Sequence, residues 1–245
     1  MSRTLKLTLA YDGSRFVGWQ RQADGESVQA FVEEALSRLE GGPVAVHAAG
    51  RTDAGVHAEG QVASARVTFT HDAATVVRAA NAILPAEIRV LAVEDAPPGF
   101  HARFSARGKS YRYQIANTPV ASPFLRGYAW HVPEPLDLDA MRAAAAALVG
   151  THDFAAFQST GSDVSATIRT VTRSDVLARG GLVVYEVEGD GFLRHMVRAI
   201  VGTLVDVGRG WRPPGDVRGL LEGGTRAQAG ATAPAHGLTL VKVEY

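Results

Sequence analysis

The amino-acid sequence predicts an α+β protein of two ferredoxin-like halves. Each half is a βαββαβ unit with an antiparallel sheet flanked by helices, and the two are related by pseudo-twofold symmetry. Three observations carry this prediction. Apolar residues alternate with period two in short segments, they recur at helical spacing in capped segments between those, and the order of the two kinds repeats in the second part of the chain. The halves are read as residues 1–105 and 106–245, and a cleft between them is where the functional site is expected.

In the first half, LKLTLAY (residues 5–11) alternates Leu5, Leu7, Leu9 and Tyr11 against Lys6, Thr8 and Ala10, the signature of a half-buried strand, and Asp12-Gly13 breaks it. A helix follows: Ser27 caps its start, Val28, Phe31, Val32, Ala35, Leu36 and Leu39 recur at helical spacing, and Gly41-Gly42 stops it. PVAVHAA and GQVASARVTF read as strands. DAATVVRAANAIL, capped by Asp72, reads as the second helix and EIRVLAVED as the strand after it. In the second half SYRYQIAN and YAWHV are extended, and LDLDAMRAAAAALVG is a helix capped by Asp137 or Asp139. IRTVTRSDVLA and LVVYEVEGD pair as strands. GFLRHMVRAIVGTLVDVG is a long helix, PPGDVRGLLEG a short one, and GLTLVKVEY closes as a strand.

Composition narrows the function. With 245 residues, 46% of them hydrophobic, the chain can build real cores, which sets disorder aside. No apolar run is long enough for a membrane span and the N-terminus lacks a signal-peptide core, so a cytoplasmic location is expected, with no membrane partner. There is no cysteine, so any nucleophile is an oxygen or a nitrogen and no thiolate holds a metal. Lys+Arg and Asp+Glu balance at 25 each, which by itself argues against a polyanionic partner. Locally the balance fails: no acidic residue lies between Asp95 and Glu134, whereas Arg103, Arg107, Lys109, Arg112 and Arg126 do. Such a stripe suits a phosphate-binding groove or a charge-protected strand edge.

The chemistry concentrates in three places. The first is GRTDAGVHAEGQ, residues 50–61, between two strands of the first half. Glycines on both sides allow the loop to present Asp53, and Arg51 stands two residues away, near enough to pair with an ionised carboxylate. Such a carboxylate serves as nucleophile or base; it also serves as the side chain of an Asx-turn. His57 has no partner at metal-ligand spacing, and no metal site is read. The second is GFLRHMVRAIVG, where Arg194 and Arg198, four apart near a helix start, suit a phosphate or carboxylate, or a solvated basic face. The third is KSYRYQI, where Tyr111 and Tyr113 share a strand face that packs in a sheet or stacks on a base.

GRTDAGVHA, FSARGKSYRYQI and FLRHMVRAIVGTLVDVG, in this order and at these separations, resemble the tRNA pseudouridine synthase A family. LAYDGSRFVGWQRQ, SVQ, NAILPAEIRV, FHARFSA, DFAAF and APAHGLTLVKVEY extend the resemblance over essentially the whole chain. The resemblance implies isomerisation of uridine to pseudouridine in the anticodon stem-loop of tRNA. It implies Asp53 as the essential aspartate, Arg51 as its motif neighbour, Tyr111 as the tyrosine stacked on the target base and Arg198 as the arginine paired with the aspartate. It also implies a homodimer and no cofactor. Arg103, Arg107, Lys109 and Arg194 are the expected substrate-binding cations. No function is assigned to residues 159–171, where family members vary.

Two readings compete. A non-catalytic RNA-binding protein with two ferredoxin-like modules would use the strand tyrosines but gains nothing from a carboxylate facing RNA. A carboxylate-dependent hydrolase of small molecules would not need the basic stripe, and its activity would be insensitive to salt.

Overall fold

A computed structural model describes residues 2–159 and 166–245; of the stretch 159–171, residues 160–165 lie outside the described residues. The chain divides into two compact units, residues 1–107 with 239–245, and residues 108–238.

In the first unit β1 (Arg3–Tyr11) is the central strand. It pairs antiparallel with β3 (His57–Val67) on one side and β4 (Ile88–Asp95) on the other, with Leu7 opposite Ala63 and Val93. β2 (Val46–Ala48) covers the outer edge of β3, Val46 opposite Ala65, so the order is β4-β1-β3-β2. Leu5, Leu7, Leu9 and Tyr11 are buried, as the alternation requires. α1 (Val28–Glu40) begins where the Ser27 side chain accepts from the Ala30 amide and ends at Gly41 in the left-handed region, φ 76°. α2 (Ala73–Ile83) begins at Asp72, whose carboxylate accepts from the Thr75 amide. Val32, Ala35 and Leu36 of α1 and Val76 and Ala80 of α2 are buried. The closing strand β10 (Leu238–Glu244), read from sequence as part of the second half, groups here instead from Thr239 onward. The physical reason is a parallel pairing with β3, Thr239 opposite His57 and Leu240 opposite Ala58.

The second unit is built on β5 (Gly108–Ala116), β9 (Leu182–Gly189), β8 (Ile168–Arg179) and β7 (Gly150–Asp153), adjacent in that order and antiparallel throughout. β6 (Trp130–His131) adds two residues parallel to β5. α3 (Leu138–Ala146) is capped by Asp137, which accepts from the amides of Asp139 and Ala140, and α5 (Asp216–Leu221) is the short helix. α4 (Met196–Gly208) is buried nearly all round, which matches its apolar composition on every face. It starts five residues later than its apolar pattern suggests. Phe192 and Arg194 therefore precede the helix, and Arg194 and Arg198 do not share a helical face.

The coarse prediction, a mixed α+β protein with mostly antiparallel sheets flanked by helices, describes both units. No helix among the described residues is long and apolar enough to cross a membrane.

Candidate active site

Asp53 sits in the loop between β2 and β3, and the loop is fixed by its backbone. The Val56 amide donates to the Asp53 carbonyl at 3.1 Å, closing a turn that places Gly55 at φ 78°, a value glycine adopts at no steric cost. The segment after β1 grips the loop from outside. The Trp19 amide donates to the Thr52 carbonyl at 3.0 Å and the Gly55 amide to the Phe16 carbonyl at 3.4 Å. Gly18, at φ 105°, lies so close that a Cβ there would stand 2.6 Å from the Thr52 carbonyl oxygen and 3.1 Å from the Ala54 nitrogen. Only a residue without a side chain permits that approach.

From inside, the sheet holds the same loop through side chains. The hydroxyls of Tyr11 and Thr52 are 2.8 Å apart, and Gln61 Nε2 donates to the Gly50 carbonyl at 2.9 Å and to the Tyr11 hydroxyl at 3.3 Å. Tyr11, Thr52 and Gln61 are all buried. Burial pushes the Tyr11 phenol up to about 12, against the opposing effect of its bonds to Thr52 and Gln61. It therefore stays a neutral hydrogen-bonding group. Downstream, His57 is buried with Nδ1 accepting from the Gly13 amide at 3.0 Å and 3.2 Å from the Asp12 carboxylate. Thr52, Gly55 and Val56 are thus anchored on both sides of a half-buried Asp53, while Arg51 and Ala54 are exposed. A carboxylate on such a frame is positioned before any substrate arrives, the condition for nucleophilic or base catalysis.

Of the other predicted site residues, Arg103 and Arg107 belong to this unit and both are exposed. Lys109, Tyr111, Arg194 and Arg198 belong to the second unit. There, Tyr111 on β5 meets Phe192 of the turn before α4 edge-on, with ring centroids 5.1 Å apart at 79°. Tyr113, by contrast, is wholly buried and its hydroxyl donates to the Pro234 carbonyl at 2.8 Å. Arg198 is half-buried, and its Nε donates to the Ala233 carbonyl at 2.7 Å while its own carbonyl accepts from the Ala233 amide at 3.1 Å. This two-point attachment is reinforced at Gly202, where a Cβ would stand 1.7 Å from the Ala231 carbonyl oxygen. Arg194 is exposed and Lys109 half-buried.

Several contributors lie outside the predicted set. Tyr11 and Gln61 read from sequence as ordinary strand residues, and their only signal is a polar tip on a buried face. His195, φ 60°, is the one non-glycine in the left-handed region among the described residues; Ser159 Oγ lies 2.7 Å from its Nδ1 and the Ser159 amide donates to the Arg194 carbonyl. Among the described residues no group of three or more His, Asp or Glu side chains is placed to hold a metal ion. A groove of about 600 Å³ beside Trp211 and Arg212 in the second unit is lined by none of the predicted site residues.

The family model for tRNA pseudouridine synthase matches residues 8–105 and 144–245. The chain belongs to the tRNA pseudouridine synthase family. Asp53, Arg194 and Arg198 fall inside the matched segments of that family, whereas Tyr111 and Lys109 lie between them. Proteins named tRNA pseudouridine synthase A are close relatives. The one from Syntrophotalea carbinolica is 50% identical over 98% of this chain and 96% of its own length. The one from Pelobacter propionicus is 48% identical over 99% and 100%, and that of Moorella thermoacetica 47% identical over 98% and 99%.

Proposed function

We propose that this member of the tRNA pseudouridine synthase family isomerises uridine to pseudouridine in tRNA, with Asp53 as the reacting carboxylate. The observation that carries the assignment of Asp53 is its loop, fixed by backbone bonds to Trp19 and Phe16 and by the Tyr11–Thr52–Gln61 network. An Asx-turn alone needs no such frame. The reaction breaks N1–C1′, turns the uracil and joins C5 to C1′; N1 gains a proton and C5 loses one, so atoms balance without a redox or group-donating cofactor. Asp53 either attacks C1′ or removes the C2′ proton. Arg198 is its proposed charge partner, with Arg51 as the alternative. Tyr111 is proposed to stack on the target base, which must leave the stem first. Arg103, Arg107, Lys109 and Arg194 are proposed to contact phosphates, and target uridines on the 3′ side of the anticodon stem-loop, a homodimer and a cytoplasmic location complete the reading.

Two ferredoxin-like halves are supported by strand order, because the first strand lies beside the third and the third beside the second in β1-β3-β2 and again in β5-β9-β8.

Tritium release from tRNA labelled at uracil C5 tests the reaction, since C5 loses its hydrogen on becoming the glycosidic carbon. Wild type releases tritium, and Asp53→Asn lowers release by at least ~100-fold with fold and tRNA binding kept. Normal release by Asp53→Asn removes Asp53 from the mechanism. Arg198→Ala is expected to lose release as well; if it keeps it, Arg51 becomes the charge partner.

A further inference from the structure

The turn at residues 101–105, in the first unit, is unusually well pinned for a surface loop. The His101 carbonyl accepts from the Ser105 amide at 2.9 Å, the Ser105 hydroxyl accepts from the His101 amide at 3.1 Å, and the His101 ring accepts from the Arg103 amide at Nδ1, 3.1 Å. Ala102 is tied at both ends, its amide to Ser64 Oγ at 3.1 Å and its carbonyl to the Tyr245 hydroxyl at 2.8 Å. This frame holds Phe104 out in solvent, 78% exposed.

A single exposed phenylalanine would need no explanation. Phe104 is not single. It ends a column of rings, with His101 at 4.5 Å from its centroid and His47 of β2 at 5.1 Å beyond, the two histidines stacked within 30°. Arg103 places its guanidinium carbon 5.7 Å from the Phe104 centroid. Burial, with the neighbouring His47, holds the His101 imidazole below its ordinary pKa.

We propose that this column is a stacking platform for an unpaired nucleobase of the tRNA substrate, which rests on Phe104 while Arg103 and Arg107 meet the flanking phosphates. The inference rests on the tRNA reading above. Charge complementarity selects the occupant, because both arginines are exposed and no acidic residue occurs between Asp95 and Glu134. A rigid ring on a pinned turn costs little entropy to bind against, and stacking accepts any base because every base has a π-face. The platform therefore adds affinity without choosing sequence.

The test measures tRNA binding over a range of salt, tritium release, thermal stability and oligomeric state for wild type, Phe104→Ala, Phe104→Leu, Phe104→Trp and Arg107→Ala. Phe104→Ala is expected to weaken tRNA binding about 5- to 150-fold with an unchanged salt slope and unchanged melting temperature. Phe104→Leu should weaken it nearly as much and Phe104→Trp should restore it. Arg107→Ala should instead reduce the salt slope by about one. Wild-type binding by Phe104→Ala in an active enzyme overturns the platform and leaves the tRNA reading intact. A Phe104→Ala chain that binds tRNA normally but changes oligomeric state makes the surface a contact between copies, which also overturns it. A wild-type protein that neither binds tRNA nor releases tritium overturns the tRNA reading and the platform with it.

Discussion

At the scale of single residues, Tyr11 shows how a core side chain holds the loop that carries Asp53. Its ring is part of the buried face of β1, while its hydroxyl meets Thr52, the neighbour of Asp53. Tyr11→Phe keeps the ring and removes the hydroxyl, so Thr52 Oγ1 loses that bond and Gln61 Nε2 keeps the Gly50 carbonyl but loses the Tyr11 hydroxyl as an acceptor. The loss is expected to cost about 1–3 kcal/mol in urea unfolding, the penalty for buried polar groups left unmade. Turnover should fall with it while the apparent affinity for tRNA stays, because the loop is loosened and not removed. An unchanged kcat alongside lowered stability would show that the Asp53 loop is held well enough by its backbone bonds to Trp19 and Phe16.

At the scale of elements, the sequence is legible where the deciding chemistry is local. The ends of α1 follow from Ser27 and Gly41, and the start of α2 from Asp72, because a cap is settled within three residues. The place of the Asp53 loop between two strands is equally legible, since Gly50 and Gly55 bound it. What holds that loop is not, because Tyr11 reaches it from the first strand, 41 residues before Thr52, and no local pattern marks the Gln61 side chain as turning back to the Gly50 carbonyl. β7 is four residues, GTHD, without alternation, and only its pairing with β8 makes it a strand. The start of α4 is hidden for a similar reason: the apolar pattern runs through Phe192, yet Ser159 and the left-handed His195 turn the chain before Met196. α4 also carries a sharp prediction. Gly202→Ala would drive a methyl into the Ala231 carbonyl, and relief requires α4 and the 229–234 segment to part. That change is expected to cost about 1–3 kcal/mol in stability, and because Arg198 is tied to Ala233 in the same seam, tritium release should fall beyond what the lost fraction of folded protein explains. Release that tracks the folded fraction would mean Arg198 tolerates the shift.

At the scale of the whole molecule, each unit holds phenols wholly or partly out of water. Tyr11 and Tyr245 belong to the first and Tyr113 and Tyr185 to the second, and burial raises all four above the ordinary phenol value. Each also has a partner: Thr52, the Ala102 carbonyl, the Pro234 carbonyl and Ser174 respectively. A group whose pKa is raised on folding binds its proton more tightly folded than unfolded. Its contribution is therefore complete below the unfolded value near 10 and is lost as pH climbs through the folded value. For Tyr11, raised from 10.0 to about 12, this amounts to about 3 kcal/mol withdrawn between those limits. Stability should consequently fall steeply above about pH 10. Phenolate absorbance followed together with circular dichroism checks this, since the buried phenols of Tyr11, Tyr113 and Tyr185, three of the chain's six tyrosines, should ionise only as the secondary structure is lost. If all six ionise with an ordinary midpoint while circular dichroism still reports a folded chain, these tyrosines are more open to water than their packing implies, and the inner half of the Asp53 frame, which runs through Tyr11, is looser than its hydrogen bonds suggest.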